Sequence, residues 1–282
     1  MDFGQETQTV IIVLEIIFGL AALIWCAGSF MVWYTQDRNI FVGDGAPFAQ
    51  HPEVTALGGE ALQAERDGQN LRWYFFPAKD AKAVALLFHG NRDGAFERLD
   101  FVEALKPLGV SLALAEFPGY GGEPGPTNEW AVLRNALAMH DEIAARTKGL
   151  PLFVMGESLG TGPATYVASL RRLRGLILST PYTSMADVAK FRYPWVPIHH
   201  LIRHPFKAKL WAPHVQAPVL ALHVTADKTA PYAMGQAESK RFSRLDRFET
   251  VQGAGHADLR AFNHGQFWKA CGEFIARHTA GA

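Results

Sequence analysis

The chain has 282 residues, of which 49% are hydrophobic, 12% aromatic and 19% charged. That composition excludes a disordered, collagen-like or disulfide-dependent small protein, and it leaves room for one large α/β domain or two small ones. Lys plus Arg and Asp plus Glu balance at 27 each, so nothing in the charge speaks for nucleic acid as a partner. Cys26 and Cys271 are the only cysteines, one in an apolar run and one near the C-terminus, so no disulfide framework is written here.

The first feature in chain order is apolar. Residues Val10 to Tyr34 read VIIVLEIIFGLAALIWCAGSFMVWY, with Glu15 as the sole charge. From Ile16 to Tyr34 about five helical turns carry no charged side chain, close to the roughly 20 residues that cross a bilayer core. Trp33 and Tyr34 suit the membrane–water boundary. A cleaved signal peptide would carry a basic leader and a shorter apolar core, whereas MDFGQETQT has no Lys or Arg. Residues 1–34 are therefore expected to anchor the chain in a membrane, with residues 10–34 contacting lipid. Arg38 just beyond the span gives a slight lean toward a cytoplasmic remainder and leaves the side open.

Residues 35–70 carry scattered Gly and Pro and read as a linker with one early strand. From Leu71 onward, short apolar runs recur: 71–76, 83–88, 110–117, 152–155, 176–180, 219–224 and 247–251. Segments of helical spacing separate them, at 96–106, 127–146, 159–170, 232–242 and 259–278. Thr127 is expected to cap its helix, with Glu129 near the positive end of the dipole. Such alternation predicts a mostly parallel sheet with helices on both faces. Residues 181–216 break the rhythm with five prolines and many aromatics, and read as an insertion capping the sheet within a 71–282 domain. Its aromatics suit an acyl-pocket wall or a membrane contact as well as ordinary packing.

The sharpest motif is Gly156-Glu157-Ser158-Leu159-Gly160, between the run LFVM and a helical segment. Small residues two before and two after the serine permit a tight strand-to-helix turn that lifts its hydroxyl over a helix N-terminus. A serine nucleophile needs a base, and the base needs an orienting acid. His256 follows the run RFETV and Asp227 follows VLALHV, each just past a strand end, where parallel sheets place their sites. The competing acid Asp246 precedes its strand and Asp258 is too near His256, while His264 and His278 fall within the last helical segment. Two backbone N–H groups should face the developing oxyanion, from Leu159 and from Asn91 in the turn His89-Gly90-Asn91. His89 itself reads as a turn-packing residue. His199, His200, His204 and His214 lie close in sequence, and on a helix His200 and His204 would share a face, but without carboxylate or Cys ligands they do not write a metal site. The glycines of GYGGEPG match no nucleotide motif and read as the loop after a strand.

Together, FHGN at 88–91, EFPGYGG at 116–122, GESLGTGPA at 156–164, STPYTSMADVA at 179–189, APVLALHVTAD at 217–227 and GAGH at 253–256 resemble the α/β-hydrolase superfamily. More narrowly they resemble its Bem46-like and ABHD-type serine hydrolases, over roughly residues 71–279. The order Ser158, Asp227, His256 is the order of that superfamily. The resemblance implies an eight-stranded sheet, a serine nucleophile, no cofactor, and cleavage of esters or thioesters, often of lipid-like acyl groups. The chain departs from the pattern at Val224, where such sequences usually have Gly, and Ser158 argues against the dehalogenase branch, which has Asp there. The expectation is a membrane-anchored serine hydrolase acting on small acyl esters or acylated substrates. The rivals are a peptidase or amidase, a tethered binding protein with a silent triad, and a soluble protein whose apolar N-terminus binds a partner.

Overall fold

The computed structural model describes residues 3–43, 45–125, 127–260 and 265–280. A first helix, α1, covers Phe3–Ile40, and a short α2 covers Pro52–Ala56. Strands β1 (Glu60–Arg66) and β2 (Gln69–Phe76) form a hairpin, followed by β3 (Ala83–Phe88), α3 (Leu99–Leu105) and β4 (Val110–Glu116). Then come α4 (Glu129–Arg146), β5 (Leu152–Glu157), α5 (Thr161–Leu170) and β6 (Gly175–Ser179). Between β6 and β7 (Val219–Val224) the chain makes three short helices, α6 (Met185–Arg192), α7 (Ile198–Leu201) and α8 (Ala208–Trp211). Helix α9 (Tyr232–Ser239), strand β8 (Leu245–Val251) and α10 (Gln266–Thr279) complete the order.

The eight strands form one sheet in the order β1-β2-β4-β3-β5-β6-β7-β8. Pairs β1/β2 and β2/β4 are antiparallel, and the five pairs from β4/β3 to β7/β8 are parallel. Both sheet faces are covered, as the continuous apolar runs require. Along β3 the side chains alternate: Val84, Leu86 and Phe88 pack with Val132, Met139 and Val167 of α4 and α5, whereas Ala83, Ala85 and Leu87 face Phe101, Phe267 and Phe274 of α3 and α10.

Four local expectations are corrected. Helix α1 does not stop at Tyr34 but continues through TQDRNI to Ile40, because Gln36 and Asp37 find partners in the β6–β7 segment. The cap of α4 is Asn128, whose side chain accepts from Ala131 N, while the Thr127 hydroxyl donates to Pro118 O instead. His200 and His204 do not share a helix, since α7 ends at Leu201 and the His204 ring turns onto Phe41. The last helical segment begins at Gln266 rather than 259. Residues 261–264, including the candidate base His264, lie outside the described residues.

Candidate active site

The turn from β5 into α5 occupies Ser158–Gly160, and Ser158 takes φ +50°, a left-handed conformation uncommon for a residue with a side chain. Space fixes the two flanking glycines. A Cβ on Gly156 would lie 2.5 Å from Gly160 O, and one on Gly160 would lie 2.1 Å from Phe88 O. The elbow therefore packs against the end of β3 with no room for a methyl group. Holding Ser158 in that conformation costs about 1–3 kcal/mol, which the fully buried strands around it sustain.

The serine meets a histidine from a distant turn. Ser158 Oγ lies 2.7 Å from His256 Nε2, and His256 Nδ1 lies 2.6 Å from Asp227 Oδ2. The other carboxylate oxygen, Oδ1, accepts from Thr229 N at 2.8 Å and Ala230 N at 2.9 Å, which fixes the side chain as the chain leaves β7. Burial works to raise the Asp227 pKa, but the His256 hydrogen bond and these two N–H groups outweigh it and hold the carboxyl below its ordinary value. The other acids are engaged elsewhere. Asp258 accepts from Gly255 N at the start of its own turn, and Asp246 pairs with Arg277 and His278. Val224 is fully buried and pairs with Val251, and the chain beyond it still brings Asp227 to the imidazole.

Opposite the elbow lies the loop after β3. A Cβ on Gly90 would stand 3.5 Å from Ser158 Cβ, so the absent side chain lets this loop abut the serine. His89 is buried, and its Nδ1 donates to Gly90 O at 2.7 Å while its Nε2 stands 3.0 Å from Glu116 Oε1. Turning the Gly90 carbonyl toward His89 also turns the Asn91 N–H of the same trans peptide away from that ring. The Asn91 carbonyl in turn accepts from Val42 N, Gly43 N and the Tyr120 hydroxyl, at 3.1, 3.2 and 2.9 Å. Leu159, the residue after the serine, is buried, and its carbonyl accepts from the Tyr182 hydroxyl at 3.1 Å.

Several of these contacts were not singled out from sequence. Buried Arg98 donates to Glu157 at 3.0 Å, and Arg260 approaches the same carboxylate at 3.6 Å, tying the turns before α3 and after His256 to the residue preceding the serine. His223, completely buried on β7, stands 4.0 Å from Asp227 Oδ2 under Gly235 of α9, and burial lowers its pKa. Such isolated polar residues in apolar runs have no periodic signal. The only clue lay in the quoted motifs that contain Tyr120, Tyr182 and His223.

Residues 79–210 match a family model described as serine aminopeptidase, S33. A Mycobacterium tuberculosis protein described as uncharacterized protein Rv2307c is 27% identical over 246 residues, covering 86% of this chain and 88% of its own. The lysophosphatidylserine lipase ABHD12 of Danio rerio is 29% identical over 194 residues, 61% of this chain, and the chain spans about half (50%) of that relative's length. Among solved structures, Est1E from Butyrivibrio proteoclasticus matches 78% of this chain and 99% of its own, with TM-score 0.62 and 21% identity. The Pyrococcus furiosus esterase PF2001 covers 83% and 97%, with TM-score 0.67 and 15% identity. At such identities the two structures speak for the fold alone. The family model, the curated relatives and the sheet all point the same way, and together they support an ABHD-type α/β-hydrolase.

Proposed function

We propose that this protein is a membrane-anchored serine hydrolase that cleaves carboxylic esters or thioesters through an acyl-enzyme. The observation that carries the reading is the unbroken relay from Ser158 Oγ through His256 to Asp227, at 2.7 and 2.6 Å. Ser158 Oγ attacks the acyl carbonyl while His256 Nε2 takes its proton. Asp227 holds the imidazole in orientation and stabilises the imidazolium. The N–H groups of Asn91 and Leu159 receive the oxyanion. Collapse expels the alcohol or thiol, which leaves with the proton from His256. Water then gives a proton to His256 and attacks the acyl-serine, which releases the acid and restores the hydroxyl. Helix α1, long and apolar enough to cross a bilayer, supplies the anchor.

The first substrate to offer is a lysophospholipid, because ABHD12 is named a lysophosphatidylserine lipase. The test is covalent labelling of the full chain in detergent by a fluorophosphonate, compared with Ser158→Ala and His256→Ala. Labelling lost in both variants supports an activated serine. No labelling of the folded parent removes the hydrolase reading and leaves a binding protein on the same fold. The family model's description as a serine aminopeptidase favours one second reading, amide cleavage. Matched ester and aminoacyl-amide substrates separate the two.

A further inference from the structure

Helix α1 and the β6–β7 segment are joined along a seam. The Trp25 indole N–H donates to Trp195 O at 2.8 Å. Arg203 N donates to Gln36 Oε1 at 2.7 Å, and its guanidinium binds Trp33 O and Asp37 while lying 5.0 Å over the Trp33 ring. His204 approaches Asp37, and Phe41 packs edge-on against His204 and Phe206. Every residue from Thr7 to Gly28, by contrast, is exposed.

Those contacts set a depth. The apolar run begins at Val10, and a hydrocarbon core of about 30 Å takes roughly 20 residues, which carries immersion to about Ser29. Trp25 then lies about one turn inside the boundary, and Trp195 is bonded to it. Tilting α1 requires more residues to span the same thickness and draws the seam deeper. An indole N–H at that depth has no water to bond, and the Trp195 carbonyl satisfies it. Beside the seam, Trp195 is 74% exposed and Leu201 54%, and Phe191 is also exposed, flanked by exposed Lys190 and Arg192. Large apolar side chains next to cations are what the headgroup region accommodates.

We infer that the β6–β7 segment is a lipid-docking surface, with Phe191, Trp195 and Leu201 entering the bilayer interface beside α1. This rests on the anchor reading above and adds the orientation of the domain. Phe206 and Tyr182 of this segment both close on Gly162, one turn past Ser158, so the docked face adjoins the elbow. The Ser158 site then stands at the membrane plane, where its acyl esters are held in lipid.

The experiment uses the full chain in phosphatidylcholine–phosphatidylglycerol vesicles in a Cys26→Ser background, since Cys271 is buried. An environment-sensitive fluorophore is attached in turn at Val13→Cys, Trp195→Cys, Leu201→Cys and Lys148→Cys, and quenched by spin-labelled lipid. Trp195 bonds Trp25 through its backbone carbonyl, so its substitution keeps that contact, and Leu201 gives a second reading should Trp195→Cys misfold. Lys148 is exposed beyond the C-terminal end of α4, at the opposite end of the sheet from the serine, and serves as the control. Several-fold quenching at Val13, Trp195 and Leu201 but not at Lys148 supports the inference. Quenching at Val13 alone overturns it and leaves the anchor standing. No quenching at Val13 overturns the anchor and the inference together. None of these readouts depends on hydrolysis.

Discussion

At the strand ends, the turn that carries Ser158 is packed backbone against backbone, the Asp227 carboxylate is held by two backbone N–H groups, and His256 is held between the Ser158 and Asp227 side chains. Along α1, the β6–β7 segment is held by a few side chains on half-exposed residues. The elbow fits against Phe88 O with no room for a methyl group, and Asp227 is gripped by two N–H groups and an imidazole. At the seam, Arg203 and Asp37 are 38% and 44% exposed, in the range where ion pairs contribute only about 0–1 kcal/mol. The difference separates two demands. Under the proposed function, proton transfer tolerates little error in position, whereas contact with a fluid lipid surface needs only orientation.

The largest expected effect breaks the first region without touching its shape. Asp227→Asn keeps an acceptor for Thr229 N and Ala230 N but removes the charge opposite His256 Nδ1, so kcat/KM should fall about 10⁴-fold with little change in the thermal midpoint. A short-chain ester assay alongside a melting curve checks both halves. Gly160→Ala comes next and should cost stability and activity together, because its Cβ would stand 2.1 Å from Phe88 O, in backbone that cannot swing aside. A loss of about 1–3 kcal/mol is expected in urea unfolding.

Glu238 tests how much polar burial the strand-end region tolerates. It is 1% exposed on α9, with neither carboxylate oxygen hydrogen-bonded among the described residues, and burial pushes its pKa to about 8 against a weaker opposing pull from Arg241. The folded protein thus keeps a proton that the unfolded chain releases near pH 4.5, so this group's contribution to stability falls as pH rises from there toward 8. Glu238→Gln should melt a few degrees higher than the parent at pH 8 and equally at pH 4. Calorimetry at the two pH values reads it. The smallest effect belongs to the seam. Arg203→Ala should change unfolding free energy by about 1 kcal/mol or less. A larger loss in urea unfolding would mean the seam is part of the core after all.

Legibility followed the same division. Seven strands could be read from their short runs, clearest where a run is buried on both faces, as in β3 and β7, which carry no exposed residue, and least so in the half-exposed edge strand β8. Strand β1, EALQAER, could be placed only loosely within 35–70. It is an edge strand whose order comes from pairing with β2 rather than from burial. The polar end of α1 read as linker for a similar reason: its helical state is stabilised by Arg203, more than 160 positions away.

The sequence by itself determined the elbow, since Gly156, Ser158 and Gly160 lie within five residues and backbone sterics act locally. It also determined the alternation of elements and the apolar helix, which are properties of consecutive side chains. Only the tertiary structure decided that His89 and Tyr120 hold the Gly90-Asn91 turn, and that the β6–β7 segment lies along α1. Each of those contacts depends on the direction in which a chain leaves one element and meets another distant in sequence, and no local periodicity records that direction.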